Sequence, residues 1–167
     1  MSSSLPSTST NWARVLRAGC LTGTCASLAS TAGLVLAARL EGKAVIRPIN
    51  AVSRWLHGDR AASHESVDAS HTAVGYATNH AASIFWAMIF EAWCARRRPV
   101  GPWPILRDAV VMSAIAVVVD YGPTPRRFRP GWELVLSKKG MAIAYTGLAV
   151  GLAAGALWTQ SGQRSGS

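Results

Sequence analysis

The chain has 167 residues, half of them apolar and only 15% charged, with a formal net charge of +9. That length holds one domain and excludes two substantial ones. Soluble domains carry about 25% charged residues, spread over the outer face of each helix; here charge is nearly absent from four apolar blocks and gathers between them, which argues against a soluble bundle.

The 17 basic residues flank those blocks without forming a stripe or a recognition helix. Anionic lipid and membrane topology account for them, and nucleic acid is not an expected partner. Cys20, Cys25 and Cys94 lie inside apolar blocks, and an odd number so placed argues against a disulfide framework.

Residues 1–11 are Ser/Thr-rich and predict a disordered tail. Trp12, Arg14 and Arg17 then suit a membrane interface. The first block, 18–38, is uncharged and about 30 Å long as a helix. It exceeds the apolar core of a signal peptide, and Arg39 follows directly, so it is read as an uncleaved span.

Residues 39–70 are the longest connection. Within them Ile49–Leu56 predicts a short interfacial amphipathic helix, capped by Asn50 or Ser53, with Trp55 at headgroup depth and Gly58-Asp59 as its end. The second block, 72–95, holds Asn79 and His80 near its middle and Glu91 near its end, and is closed by Arg96-Arg97-Arg98 and Pro99. The tract 100–104, VGPWP, predicts a tight turn.

The third block has only eleven uncharged residues between Asp108 and Asp120. Extended to 103–121 it reaches spanning length, with the two aspartates as anchors near opposite interfaces; a buried or re-entrant helix is the alternative. Residues 121–131 are a basic, proline-rich surface loop, and Trp132–Ser137 begin an interfacial helix. The fourth block, 141–158, ends in an interfacial Trp, and 159–167 predict a second loose tail.

The expected fold is therefore all-α: a polytopic membrane bundle of four transmembrane helices, with short interfacial helices in its loops. Residues 12–158 form one membrane domain. Small residues at four-residue spacing, Gly19, Gly23 and Ser27 in the first span and Gly147, Gly151 and Gly155 in the fourth, let backbones approach closely in lipid. Those helices are expected to pack against each other or against a second copy. Basic residues are shared between the two sides in a way that leaves orientation open.

Two constellations are candidates for chemistry. An ionisable group at mid-membrane is expensive and must face protein or water. His80 is such a group, and Tyr76, Ser83 and Glu91 follow on the same general face, beside Asn79. A proton path, a ligand site or one interhelical hydrogen-bond network would each use that stripe. If residues 61–71 are helical, His64, Asp68 and His71 fall on one face with metal-capable side chains suited to zinc or iron, although loops are rich in His and Asp without metal.

The chain lacks a G-x-x-x-x-G-K loop, G-x-S-x-G, H-E-x-x-H and C-x-x-C, so no enzyme class and no cofactor are indicated. Through Pro48-Ile49-Asn50, Asn79-His80 and the Asp120-Tyr121-Gly122 exit into Pro125-Arg126-Arg127, the chain resembles small inner-membrane proteins of proteobacteria. That resemblance implies the bacterial cytoplasmic membrane as compartment and carries no catalytic residue. The expected role is a non-enzymatic scaffold, accessory or assembly component, in contact with lipid and with a second copy or another membrane protein. The alternative is a small oligomeric transporter or channel for protons or a polar solute, using His80 and Glu91.

Overall fold

The computed structural model describes residues 12–164. Among them no strand occurs: six α-helices are joined by helical turns and loops. Four are long: α1 (Trp12–Leu40), α4 (Val74–Arg97), α5 (Pro102–Tyr121) and α6 (Lys138–Arg164). Between α1 and α4 lie the short α2 (Arg47–Ala51) and α3 (Arg54–His57), a 3-10 turn (Gly58–Ser63) and a π turn (Ala69–Ala73).

Three helices, α1, α5 and α6, are long and apolar enough to cross a membrane. At 1.5 Å per residue even the shortest, the 20-residue α5, extends about 30 Å. The 24-residue α4 is as long as a span but is diluted by Asn79, His80, Ser83 and Glu91.

Large apolar residues face outward on the long helices, including Leu21, Leu28, Leu36, Phe85, Val110 and Val118. The interior combines Phe90, Leu34, Ile105, Leu152 and many alanines with buried Thr22, Ser27, Ser30, Asn79, Ser83, Glu91, Asp108 and Ser113. Three long apolar helices with apolar outer faces are consistent with a membrane-spanning bundle.

The order of packing is α4–α1–α6–α5, with the α1–α6 interface the most extensive. Both partners of α1 run antiparallel to it. Against α6, the backbone at Gly155, Gly151 and Gly147 meets that at Thr22, Ala26 and Ala29, and a Cβ at any of the three glycines would lie 2.5 Å from an atom of α1. Against α4, Gly19 faces Met88 and Gly23 faces Ile84 with the same closeness. The small residues are thus consumed by contacts within one chain. Consecutive helices α4 and α5 touch little.

The two long loops form a single cap. Buried Arg54 donates to Asp59 at 2.6 Å in its own loop and to Glu133 at 2.7 Å in the loop before α6. Glu41 accepts from the Ser137 hydroxyl at 2.6 Å and from Lys43 at 2.8 Å. Lys43 also donates to the Val135 carbonyl.

Several local expectations change. Residues 49–56 are not one helix but α2 and α3. The Ser53 hydroxyl bonds back to the Asn50 carbonyl at 2.8 Å, and neither Ser53 nor Asn50 caps through its side chain. The VGPWP tract divides: Gly101, at φ 89°, makes the turn, and Pro102 opens α5, where a missing N–H costs nothing. Residues 132–134 form a 3-10 turn instead of a helix start. Residues 159–164, read as a tail, continue α6. The tail expected at 1–11 lies outside the described residues.

Candidate functional site

The polar residues of α4 do not form one stripe. His80 stacks on Tyr76, ring centroids 6.0 Å apart, and its buried Nδ1 has no hydrogen-bond partner. Asn79 and Ser83 turn to the core: Asn79 donates to Thr31 of α1 at 3.4 Å, and the Ser83 hydroxyl donates to the Asn79 carbonyl at 2.8 Å. Glu91 is buried near the other end of α4 and accepts from Thr22 of α1 at 2.6 Å. Eleven residues span about 16 Å along a helix, so His80 and Glu91 occupy separate levels with separate partners. Buried Ser27, on the small-residue stripe, also has a hydroxyl without a partner.

The aspartates of α5 behave differently from surface anchors. Asp108 is buried and receives Arg107 at 2.9 Å, with Arg97 at 3.6 Å. Asp120 accepts from the Tyr145 hydroxyl of α6 at 2.7 Å and meets no arginine.

His64, Asp68 and His71 come together, but not on a helix. Residues 64–68 are non-helical, and the π turn begins only at Ala69. The loop is shaped from outside by Asn50, fully buried in α2, whose amide donates to the His64 carbonyl at 2.9 Å and the Ser66 carbonyl at 3.1 Å. Its Oδ1 accepts from Thr72 at 2.7 Å.

Asp68 caps the following turn, Oδ1 accepting from the His71 amide at 2.7 Å, while Oδ2 lies 2.5 Å from His64 Nε2. The His71 amide bond, with bonds from the His64 and His71 side chains, holds the Asp68 carboxyl down to about 2. The His71 ring is sandwiched between His64, at 3.9 Å, and His57, at 4.1 Å.

A further feature had no signal in the spacing of the sequence. Beneath the cap, a cleft of about 620 Å³ opens between α4 and α6, which touch little, and Ser30 of α1 lines it as well. Its walls are mainly apolar, from Val74, Ala77, Ala81, Ala82 and Trp86 of α4 and Leu148 of α6. Asn79, Ser83, Asp120 and Tyr145 line it too, and Arg129 and Trp132 of the loop before α6 complete it. Arg129 spends its Nε on the Thr124 carbonyl at 3.1 Å, which leaves the outer nitrogens of the guanidinium for another acceptor. Trp132 is buried, and its indole N–H has no partner. At the rim Trp55 is pinned by a bond to Thr78 at 3.1 Å, and exposed Arg127 donates to the Trp55 carbonyl at 2.9 Å.

Comparison with protein-family models, with curated proteins and with solved structures finds no match to this chain.

Proposed function

We propose that this protein is a non-enzymatic, accessory component of a bacterial cytoplasmic membrane that crosses it four times and holds an anionic lipid between α4 and α6. The observation that carries the reading is the cleft. Its volume falls in the range of small-molecule sites, about 300–1,000 Å³, and its walls are apolar where an acyl chain would lie. Basic and donor groups gather where a headgroup would lie: Arg129 and the unpartnered N–H of Trp132 in the lining, with Arg127 beside Trp55 at the rim. A buried donor without a partner costs about 1–3 kcal/mol, and a phosphate oxygen recovers that loss while meeting the guanidinium of Arg129. The antiparallel packing of α4 along α1 supports crossing by α4.

The test is lipid retention by the tag-free protein purified in mild detergent, read by native mass spectrometry and by extraction. The wild type is expected to keep about one anionic phospholipid per chain. Trp132→Phe, which preserves packing and removes the donor, is expected to weaken retention about tenfold, the equivalent of 1.4 kcal/mol. Ala82→Trp, which fills the cleft, is expected to abolish it. Equal retention of zwitterionic lipid, or retention unchanged by Ala82→Trp, overturns the reading.

A further inference from the structure

We propose that His64, Asp68 and His71 form a binding site for one divalent transition-metal ion of the zinc type, on the capped face of the bundle and independent of the lipid cleft. One ligand atom from each of the three residues lies within 4.8 Å of the other two. The individual separations include 2.5 Å from His64 Nε2 to Asp68 Oδ2 and 3.3 Å from His71 Nδ1 to Asp68 Oδ1. Zinc bonds of about 2.0–2.1 Å at tetrahedral angles place ligand atoms about 3.3 Å apart. The two separations, to different oxygens of Asp68, lie at or below that value, and all three ligand atoms stay within 4.8 Å, so side-chain rotations bring them onto one ion.

The donor set selects the class of ion. Two imidazoles and one carboxylate suit zinc and its neighbours, whereas calcium and magnesium require oxygen ligands. Three protein ligands leave a fourth position for water or an exogenous group.

The supporting shell is already in place. Ligand loops must be fixed by outer hydrogen bonds to bind well, and here buried Asn50 holds the carbonyls of His64 and Ser66. Thr72, bonded to Asn50, accepts from the Asp68 amide at 3.2 Å. Stacking on both faces fixes the plane of His71. Capping uses Asp68 Oδ1 and leaves Oδ2 directed at His64. The three side chains are 21–35% exposed, open enough for an ion to enter from water. His57 is committed to Ser70, its Nε2 3.0 Å from the carbonyl and 3.1 Å from the hydroxyl, and stands outside the ligand set.

The experiment uses the full, tag-free chain in mild detergent, stripped with a chelator and titrated separately with Zn²⁺ and Co²⁺. Calorimetry is expected to show one Zn²⁺ per chain, and Co²⁺ to develop the visible absorption of a tetrahedral site. His64→Ala and His71→Ala are each expected to lose more than about 100-fold in affinity, and Asn50→Ala, which removes only the support, about 10–100-fold. His57→Ala, which removes one stacking face of His71 and no ligand, is expected to weaken binding less than Asn50→Ala does. Asp68→Asn can still cap the turn, so it separates loss of a ligand from loss of the fold; with helicity retained it is expected to lose the cobalt absorption. No saturable binding by the wild type, or binding unchanged in the His64→Ala/His71→Ala double variant, overturns the proposal.

Discussion

The α1–α6 interface makes a sharp prediction, because one substitution at two places on one helix should have opposite signs. A Cβ at Gly151 would lie 2.5 Å from Ala26 Cα and 2.6 Å from the Cys25 carbonyl oxygen, while ordinary contact begins at 3.4 Å. The helices must therefore separate by about 0.9 Å, the difference of the two distances, since both obstructing atoms are backbone and no rotamer relieves them. Overpacking of this kind costs about 1–3 kcal/mol. Replacing glycine within a helix returns up to about 1 kcal/mol, so Gly151→Ala should destabilise by up to about 2 kcal/mol. At Gly162, eleven residues further along α6, nothing lies within 4 Å, and Gly162→Ala should be neutral or stabilising by up to about 1 kcal/mol. Denaturant titration in mild detergent, followed by tryptophan fluorescence and far-ultraviolet circular dichroism, measures both. If Gly151→Ala proves as stable as Gly162→Ala, the close backbone approach of α1 and α6 is wrong.

Other outcomes follow from the polar contacts. Thr22→Val removes the 2.6 Å bond to the buried Glu91 carboxyl, which keeps only Thr159, and should cost about 1–2 kcal/mol, whereas the double variant with Glu91→Leu should recover most of that loss; a double-mutant cycle showing no coupling would refute the pairing. In the cap, Glu133→Gln should cost about 1.5–3 kcal/mol, because its partner Arg54 is buried. Asp59→Asn should cost less than about 1 kcal/mol, because the Asp59 side chain is 69% exposed; denaturation midpoints of the two variants test the order. Hydrogen bonds from Lys43 and then Ser137 hold the Glu41 carboxyl down, from 4.5 to about 2. That stabilisation is complete above about pH 4.5 and is lost as the pH falls toward 2. The thermal midpoint should drop across that window, and Glu41→Gln should flatten the drop.

What the sequence discloses here depends on whether a property is local. The long helices are legible because an uncharged run of the right length has few other fates in a chain this basic. Their ends are less so: backbone hydrogen bonding continues past the apolar blocks, carrying α1 back to Trp12 and α6 on through Arg164. The His64–Asp68–His71 grouping was reached through a helix that does not exist. The residues meet because Asn50 grips a loop 14 and 16 residues ahead of it, a contact that no periodicity encodes. The stripe around His80 misled in the opposite way. Residues at helical spacing share a broad face, but that face meets different neighbours at different levels, so His80 pairs with Tyr76 while Glu91 pairs with Thr22.

The cleft follows from where small residues are absent. In lipid, helices seal against each other chiefly by close backbone approach, because apolar bulk gains little by leaving hydrocarbon for protein. Helix α1 brings glycines to α4 and receives those of α6, so α4 and α6 each close tightly on α1 and barely meet each other. Helix α5 has no glycine, carries Val110, Val111 and Val118 exposed, and is joined to α4 by only a short turn. It follows α6, through Ser113 to the Tyr145 carbonyl at 2.7 Å and Tyr145 to Asp120, and so brings Asp120 to the cleft. The same rule that closes α4 and α6 onto α1 leaves those two apart where the cleft lies. Of the polar groups that line the gap, Arg129 and Trp132 belong to the loop before α6, and Asn79, Ser83, Asp120 and Tyr145 to the helices. A single substitution should therefore close it. Val110→Gly or Val118→Gly on α5 would not, since those side chains are exposed, whereas bulk at Ala82 on the cleft wall fills the space directly.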